Sequence, residues 1–218
     1  MNSCTTCKEA IAHCMSTHTF AFAHLYGDEK IMDMHIHNCC EVYYSISGGK
    51  QFLIDHCLYD IRPGDLFLIN QFESHHLTQI DQQTHERIIL SIDPEYLSKL
   101  STGATDLGLC FSFRDTRMPH QIHLSPKEQN RFMYFIHELH DDGGIGEDLL
   151  DQAIFLELMV FLNRAFAARC TDAAAPAPAP SSNYHAQVDA ILSYINSHIG
   201  EPLTLAGLSV HFFMSTSY

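Results

Sequence analysis

The chain has 218 residues, enough to bury one substantial core and little beyond it. With 46% hydrophobic and 17% charged residues it is globular, and no apolar run reaches the roughly 18 residues of a membrane-spanning helix. A formal net charge of −14 argues against nucleic-acid binding by the chain as it stands, because duplex binding rests on Lys and Arg contacts to phosphate.

The opening "MNSCTTCKEAIAHC" has no basic stretch followed by an apolar one, so no export leader is read and a cytoplasmic location is expected. The eight cysteines are irregularly spaced in a chain too large to need disulfide staples, which favours reduced thiols. Cys4 and Cys7 form a single CxxC with no second pair at zinc-finger spacing, and residues 1–18 are read as a flexible N-terminal arm.

Residues 19–124 read as short strands divided by turn signals. "EVYYSIS" and "KQFLIDH" are β-branched and aromatic, and Gly48-Gly49 between them predicts a hairpin. "RPGD", Arg62 to Asp65, is a turn that launches "LFLIN", and "ERIILSI" is a further strand. Strands at this spacing predict a barrel-like core.

Residues 125–171 turn helical. "SPKEQNRFMYFIHELHDD" offers Ser125 as N-cap and Pro126 at the first helical position, with Phe132, Phe135, Ile136 and Leu139 on one face. "GEDLLDQAIFLELMVFLNRAFAARC" carries an apolar stripe through Leu150, Ile154, Leu158, Phe161 and Leu162. Phe155, Met159 and Phe166 widen it, which predicts a second contact surface, such as another subunit. The Pro/Ala run in residues 172–183 reads as a semi-rigid linker. Residues 184–218 hold an amphipathic helix with Val188, Ile191, Leu192 and Ile195 on one face, a second helix capped by Thr204, and a possible third start at Ser215.

"HIHNCCEVYYSISG" concentrates the chemistry. His35, His37 and Glu41 alternate toward one face, and His75 follows Gly64 by eleven residues, so three imidazoles and a carboxylate could meet. Such a set suits zinc, nickel, iron or manganese, and equally the polar wall of a small-molecule pocket. The same alternation points Tyr43 and Ser45 inward, giving a mixed polar and aromatic lining. His120, His123, His137 and His140 are read as surface or helix-end residues, with His137 an i, i+4 neighbour of Asp141.

These stretches resemble a known family. "HIHNCCEVYYSISG" is similar to the first cupin motif and "GDLFLINQFESH" to the second, though the usual proline near Asn70-Gln71 and the glycine close to Phe72 are missing. The order of parts from about Phe20 onward resembles AraC-type transcriptional regulators, and "L-(S)-x5-S-x-x-Y" across Leu208 to Tyr218 resembles the start of that family's helix-turn-helix region.

The resemblance implies a cupin-like double-stranded β-barrel, mainly β with α, followed by a helical dimerisation pair and a truncated helix-turn-helix fragment. It implies an effector-sensing protein and no enzyme, with a small metabolite held by His35, His37, Glu41, Tyr43, Ser45 and His75, and a homodimer through residues 125–171. Ser215, Thr216, Ser217 and Tyr218 would open the recognition helix, of which nearly all is absent. Residues 181–218 contain no Lys or Arg, so DNA is expected as a partner of the full-length protein alone. The alternatives are a metal-dependent cupin enzyme or a metal or redox sensor using His35, His37, Glu41 and His75.

Overall fold

The β-rich first half forms two antiparallel sheets in the computed structural model, which describes residues 4–27, 34–49, 51–55, 57–79, 85–112, 120–139, 144–172, 191, 194, 195, 198 and 202–215. One sheet has the order β1 (Phe20–Gly27), β7 (His85–Ile92), β2 (Cys40–Ser45), β5 (Asp65–Ile69), β8 (Gln121–His123). The other has the order β4 (Cys57–Asp60), β3 (Gln51–Ile54), β6 (His75–Gln79). Together they make the cupin-like fold, with helices packed on the larger sheet.

The hairpin expected across Gly48-Gly49 does not form. Strand β2 is paired on both sides, Val42 facing Leu68 of β5 and Leu90 of β7, so it has no edge left for β3. The connection is instead a crossover between sheets. Gly48 takes φ 82°, a left-handed conformation open to glycine, and its backbone lies against the Pro63 ring, where an added Cβ would stand 3.1 Å from Pro63 Cδ. The Arg62–Asp65 turn behaves as its sequence implies: Gly64 has φ 86°, and the Arg62 amide donates to Asp65 Oδ2 at 2.6 Å.

Period-two alternation sorts β2 into two faces. Cys40, Val42 and Tyr44 join Phe22, Leu66, Leu68, Ile88, Leu90 and Ile92 in a core covered by helices. Tyr43 turns the other way, into a barrel interior with Phe52, Ile54, Phe67, Leu77 and Ile89.

Helix α4 (Pro126–Glu138) starts with the capping box that Ser125 and Pro126 suggest: Glu128 N donates to Ser125 Oγ, and Glu128 Oε2 accepts from Ser125 N at 2.8 Å. It buries Phe132, Phe135 and Ile136, with Leu139 beneath its C-terminal end. Helix α5 (Glu147–Asp172) departs from expectation. Phe155, Met159 and Phe166 are fully or almost fully buried within the same chain, whereas Leu149 and Leu150 are exposed. Phe155 stacks on Phe20 at 4.3 Å and contacts Tyr96 of α2 (Pro94–Leu100), so the apolar surface broader than one stripe serves the chain's own sheet and helices. Asn163 of α5 receives the Cys110 amide of α3 (Leu109–Ser112) at 2.8 Å and donates to Leu107 O at 2.9 Å. Arg169 forks onto Glu128 at 2.9 and 2.7 Å.

The expected flexible arm contains a helix, α1 (Cys7–Thr17), whose Ala10 and Cys14 are buried against the barrel interior. Thr6 caps it by accepting from Glu9 N at 3.1 Å, while Glu9 Oε2 takes the Thr5 amide and hydroxyl. The Cys4 amide then donates to Phe22 O, tying the segment to β1.

The chain divides into two compact units, Met1–Ala174 and Ala175–Tyr218. In the second, helix α6 (Leu205–Phe212) begins at Thr204, which accepts from Gly207 N at 3.1 Å. Ile191 and Ile195 lie in helical backbone; Val188, Leu192 and the linker at 173–183 lie outside the described residues. Among the described residues, no helix is long and apolar enough to cross a membrane.

Candidate functional site

Backbone pairing assembles the site. His35 and His75 exchange amide–carbonyl hydrogen bonds at 3.2 and 3.1 Å, an isolated bridge that brings the segment before β2 alongside the start of β6. The Phe72 amide donates to His37 O at 2.8 Å. That turn demands a left-handed residue, and Phe72 supplies φ 63° where the cupin motif usually carries a glycine nearby. His35, His37 and His75 thereby place one ring nitrogen each within 4.8 Å of one another. Glu41, the second residue of β2, reaches two of the three: its Oε2 is 3.2 Å from His37 Nε2 and its Oε1 is 3.8 Å from His75 Nε2.

Hydrogen bonding fixes how these rings present themselves. His75 Nδ1 lies 2.9 Å from Glu73 O; a carbonyl can only accept, so Nδ1 carries the proton and Nε2 presents its lone pair. His37 Nδ1 likewise donates to Cys39 O at 2.9 Å. His75 is fully buried and its Nε2 has no hydrogen-bond partner, a costly arrangement unless a ligand meets it.

The charges within the cluster diverge. Burial works against a charged His37, but its bonds to Cys39 and Glu41 overcome this and push its pKa up to about 10. Burial opposes ionisation of Glu41 as well; the His37 hydrogen bond and the neighbouring imidazoles outweigh it and hold the carboxyl below its usual range. At His75 burial dominates and keeps the ring neutral, its pKa depressed. The result is an imidazolium–carboxylate pair beside a neutral imidazole with a free lone pair. Cys39 Sγ sits 3.3 Å from His37 Nδ1, and a hydrogen bond from Cys14 with the nearby His37 lowers its pKa to about 6 against the effect of burial.

Three imidazoles and a carboxylate form a donor set suited to a borderline divalent ion, with the Cys39 and Glu73 carbonyls orienting two of the rings. Two nitrogens on one tetrahedral ion lie about 3.4 Å apart, so rings whose nitrogens stand within 4.8 Å of one another would draw together on a bound ion.

Tyr43 and Ser45 both lie on buried β2 positions, with their polar groups already engaged. The Tyr43 hydroxyl is 2.8 Å from His85 Nε2, and Ser45 Oγ accepts from Gly48 N at 3.0 Å. Rings fill the space around Tyr43, with Phe52 at 4.9 Å and Phe67 at 5.8 Å. His120, expected at the surface, is buried, its Nδ1 2.9 Å from the Tyr59 hydroxyl and its Nε2 3.3 Å from Glu73 Oε2, with its carbonyl accepting from the Leu68 amide of β5 at 2.9 Å. His123 pairs with Asp65 at 2.8 Å, and exposed His137 sits 3.5 Å from Glu138; His140 and Asp141 lie outside the described residues. Ser215 follows α6 without regular structure, and Thr216, Ser217 and Tyr218 lie outside the described residues.

Cys7 and Cys14, both on α1, were not among the expected site residues. Cys7 Sγ comes within 4.0 Å of Glu41 Oε2. The signal was Thr6-Cys7-Lys8-Glu9, a capping-box spacing that announces a helix where a loose arm was expected.

A family model described as AraC-like ligand binding domain matches residues 19–159. Among solved structures, ToxT of Vibrio cholerae aligns with 90% of this chain and 72% of its own, at 11% identity and a TM-score of 0.50. An apo variant of ToxT covers 91% and 72%, at 9% identity and a TM-score of 0.50. Oxalate decarboxylase of Bacillus subtilis aligns with 34% of this chain at 21% identity and a TM-score of 0.32; the match spans 21% of that chain. No curated protein sequence matches the chain.

Proposed function

The chain belongs to the family of AraC-like ligand-binding domains, and from that premise we propose that it is the effector-binding and dimerisation portion of a cytoplasmic transcriptional regulator that receives its signal at the histidine centre. The ligand is a divalent ion, zinc, nickel, iron or manganese, held by His35, His37, His75 and Glu41, together with a small metabolite that reaches the ion through oxygen donors. One observation carries this reading: His75 Nε2 is fully buried, lacks a hydrogen-bond partner and faces the same space as the His35 and His37 rings.

When bound, an ion would supply a fixed positive charge able to attract an oxygen-bearing metabolite. The chain's residues do the rest. Glu73 O and Cys39 O hold the His75 and His37 rings by their Nδ1 protons, and Glu41 offers the balancing negative charge. Tyr43 and the rings around it exclude water from the space beneath. An effector shifts the regulator only through different affinities for two arrangements of the chain.

Dimerisation through residues 125–171 suits the two-fold organisation of operator half-sites, and exposed Tyr134 on α4, with Ile145 just before α5 and Leu149 and Leu150 at its start, are among the apolar side chains available for it. The match to a ligand-binding family favours a sensor over a metal-dependent enzyme that uses the same four residues.

The test is elemental analysis of protein purified without a histidine tag. About one ion per chain, lost on His37→Ala in a protein that still folds, is the expected result. Protein that neither retains nor takes up any of the four ions would overturn the metal reading and leave the cluster as the polar wall of an effector pocket.

A further inference from the structure

Helix α1 is placed by features that have nothing to do with an ion: a cap at Thr6, buried Ala10 and Cys14, and the Cys4 amide on Phe22 O. Together they set its first residue, Cys7, against the carboxylate of the histidine centre, with Sγ 4.0 Å from Glu41 Oε2. The second observation is the buried, unpartnered His75 Nε2, whose nearest carboxylate oxygen is the other oxygen of the same Glu41, at 3.8 Å. Thiol and imidazole thus meet one carboxylate.

Coordination distances decide whether a common ion can bridge them. A sulfur at about 2.3 Å and an oxygen at about 2.1 Å from one ion can lie up to about 4.4 Å apart, so the 4.0 Å between Cys7 Sγ and Glu41 Oε2 falls within reach. Cys39, although closer to a histidine, lies beside His37 Nδ1, the nitrogen occupied by a backbone carbonyl, and so stands behind the ring.

Resting on the metal reading above, we propose that Cys7 is a further ligand of that ion, so that loading the centre ties helix α1 to the barrel through a metal–thiolate bond. The site then offers three nitrogens, one oxygen and one sulfur. A sulfur donor selects a borderline ion such as zinc, nickel, iron(II) or the probe cobalt(II), and disfavours magnesium and manganese. In the binding step the Cys7 S–H bond and the His37 Nε2–H bond of the imidazolium both break, metal–sulfur and metal–nitrogen bonds form and two protons pass to solvent, with no change of oxidation state. The ion thereby reports its presence by anchoring the first helix of the chain.

The experiment is a cobalt(II) titration of the reduced, untagged full chain, followed by absorption spectroscopy, with Cys7→Ser and Cys39→Ser variants alongside. A thiolate-to-cobalt charge-transfer band in the near ultraviolet is expected in the parent and in Cys39→Ser. Its loss is expected in Cys7→Ser, while the visible ligand-field bands of histidine-bound cobalt persist. As a second readout, zinc should slow alkylation of Cys7, followed by mass spectrometry, and should cease to do so in His37→Ala. Cobalt bound without a charge-transfer band, or a band that survives Cys7→Ser, would overturn the Cys7 assignment and leave the histidine centre standing. No cobalt bound to the parent would overturn both.

Discussion

The two faces of the five-stranded sheet run along the same residues and do opposite things. On the outer face, Cys40, Val42 and Tyr44 of β2 meet the helices in a continuous apolar core. On the inner face, Glu41, Tyr43 and Ser45 of the same strand bury a carboxylate and two hydroxyls. The outer face gains its stability from area removed from water, which is insensitive to small changes of angle. The inner face depends on individual partners at individual distances, so losing one leaves a buried polar group unmet. One face therefore supports the other: the packed helices hold strand β2 in position, and β2 presents Glu41.

That contrast can be broken most directly at Phe155, fully buried and stacked on Phe20. Phe155→Ala is expected to cost about 3–5 kcal/mol of unfolding free energy in urea denaturation. A loss below about 1 kcal/mol would mean that the outer face is not the main source of stability.

The inner face is expected to respond to ligand. A suitable ion at a hundred times its dissociation constant should add about 2.7 kcal/mol in the parent and nothing in His75→Leu. Without the ion, His75→Leu should cost no more than about 2 kcal/mol, since it removes a buried Nε2 that has no hydrogen-bond partner together with the single Nδ1 hydrogen bond to Glu73 O. A large loss in the ion-free variant would place His75 among the structural residues.

The pH dependence sharpens the comparison. Burial, helped by the Arg87 charge, lowers the pKa of His85 to about 4. The unfolded chain takes up this proton near the ordinary value of about 6.5, whereas the folded chain resists it. Its contribution to stability is complete above about pH 6.5, falls as pH drops, and levels off below about pH 4, with a loss on the order of 2 kcal/mol. Equilibrium unfolding of His85→Gln across that range should show a shallower slope than the parent; an identical slope would remove His85 as its source.

The smallest effect belongs to the turn beneath the site. Phe72 holds φ 63° with a β-carbon and is 48% exposed. Phe72→Gly should leave stability unchanged or raise it by up to about 1 kcal/mol, measured by thermal unfolding. A clear loss would show that the ring packs to more purpose than its exposure implies.

Much of this was legible because it is local. The N-cap at Ser125, the Thr204 cap and the Arg62–Asp65 turn each depend on residues within four positions of one another, and each formed as its pattern implies. The residues of the histidine centre could be named because alternation and the spacing to His75 place them on converging segments. The partner of β2 could not be named, because Gly48-Gly49 permits a hairpin or a crossover, and β5 and β7 had already taken both edges. On α5 the named stripe is buried at Leu158, Phe161 and Leu162, but the inward placement of Phe155, Met159 and Phe166 could not be read, because apolar residues spread around much of the helix.

By itself, the amino-acid sequence determined the strands β2, β3, β5 and β7, the helix starts at Ser125 and Thr204, the Arg62–Asp65 turn and the types of donor atom at the site, all matters of dihedral preference and short-range hydrogen bonding. The tertiary structure decided which sheet edge each strand occupied, that Phe155, Met159 and Phe166 face inward, and that α1 carries Cys7 to Glu41. These choices compare distant segments competing for one surface, and what settles them is how much apolar area each arrangement buries and how many buried polar groups it satisfies.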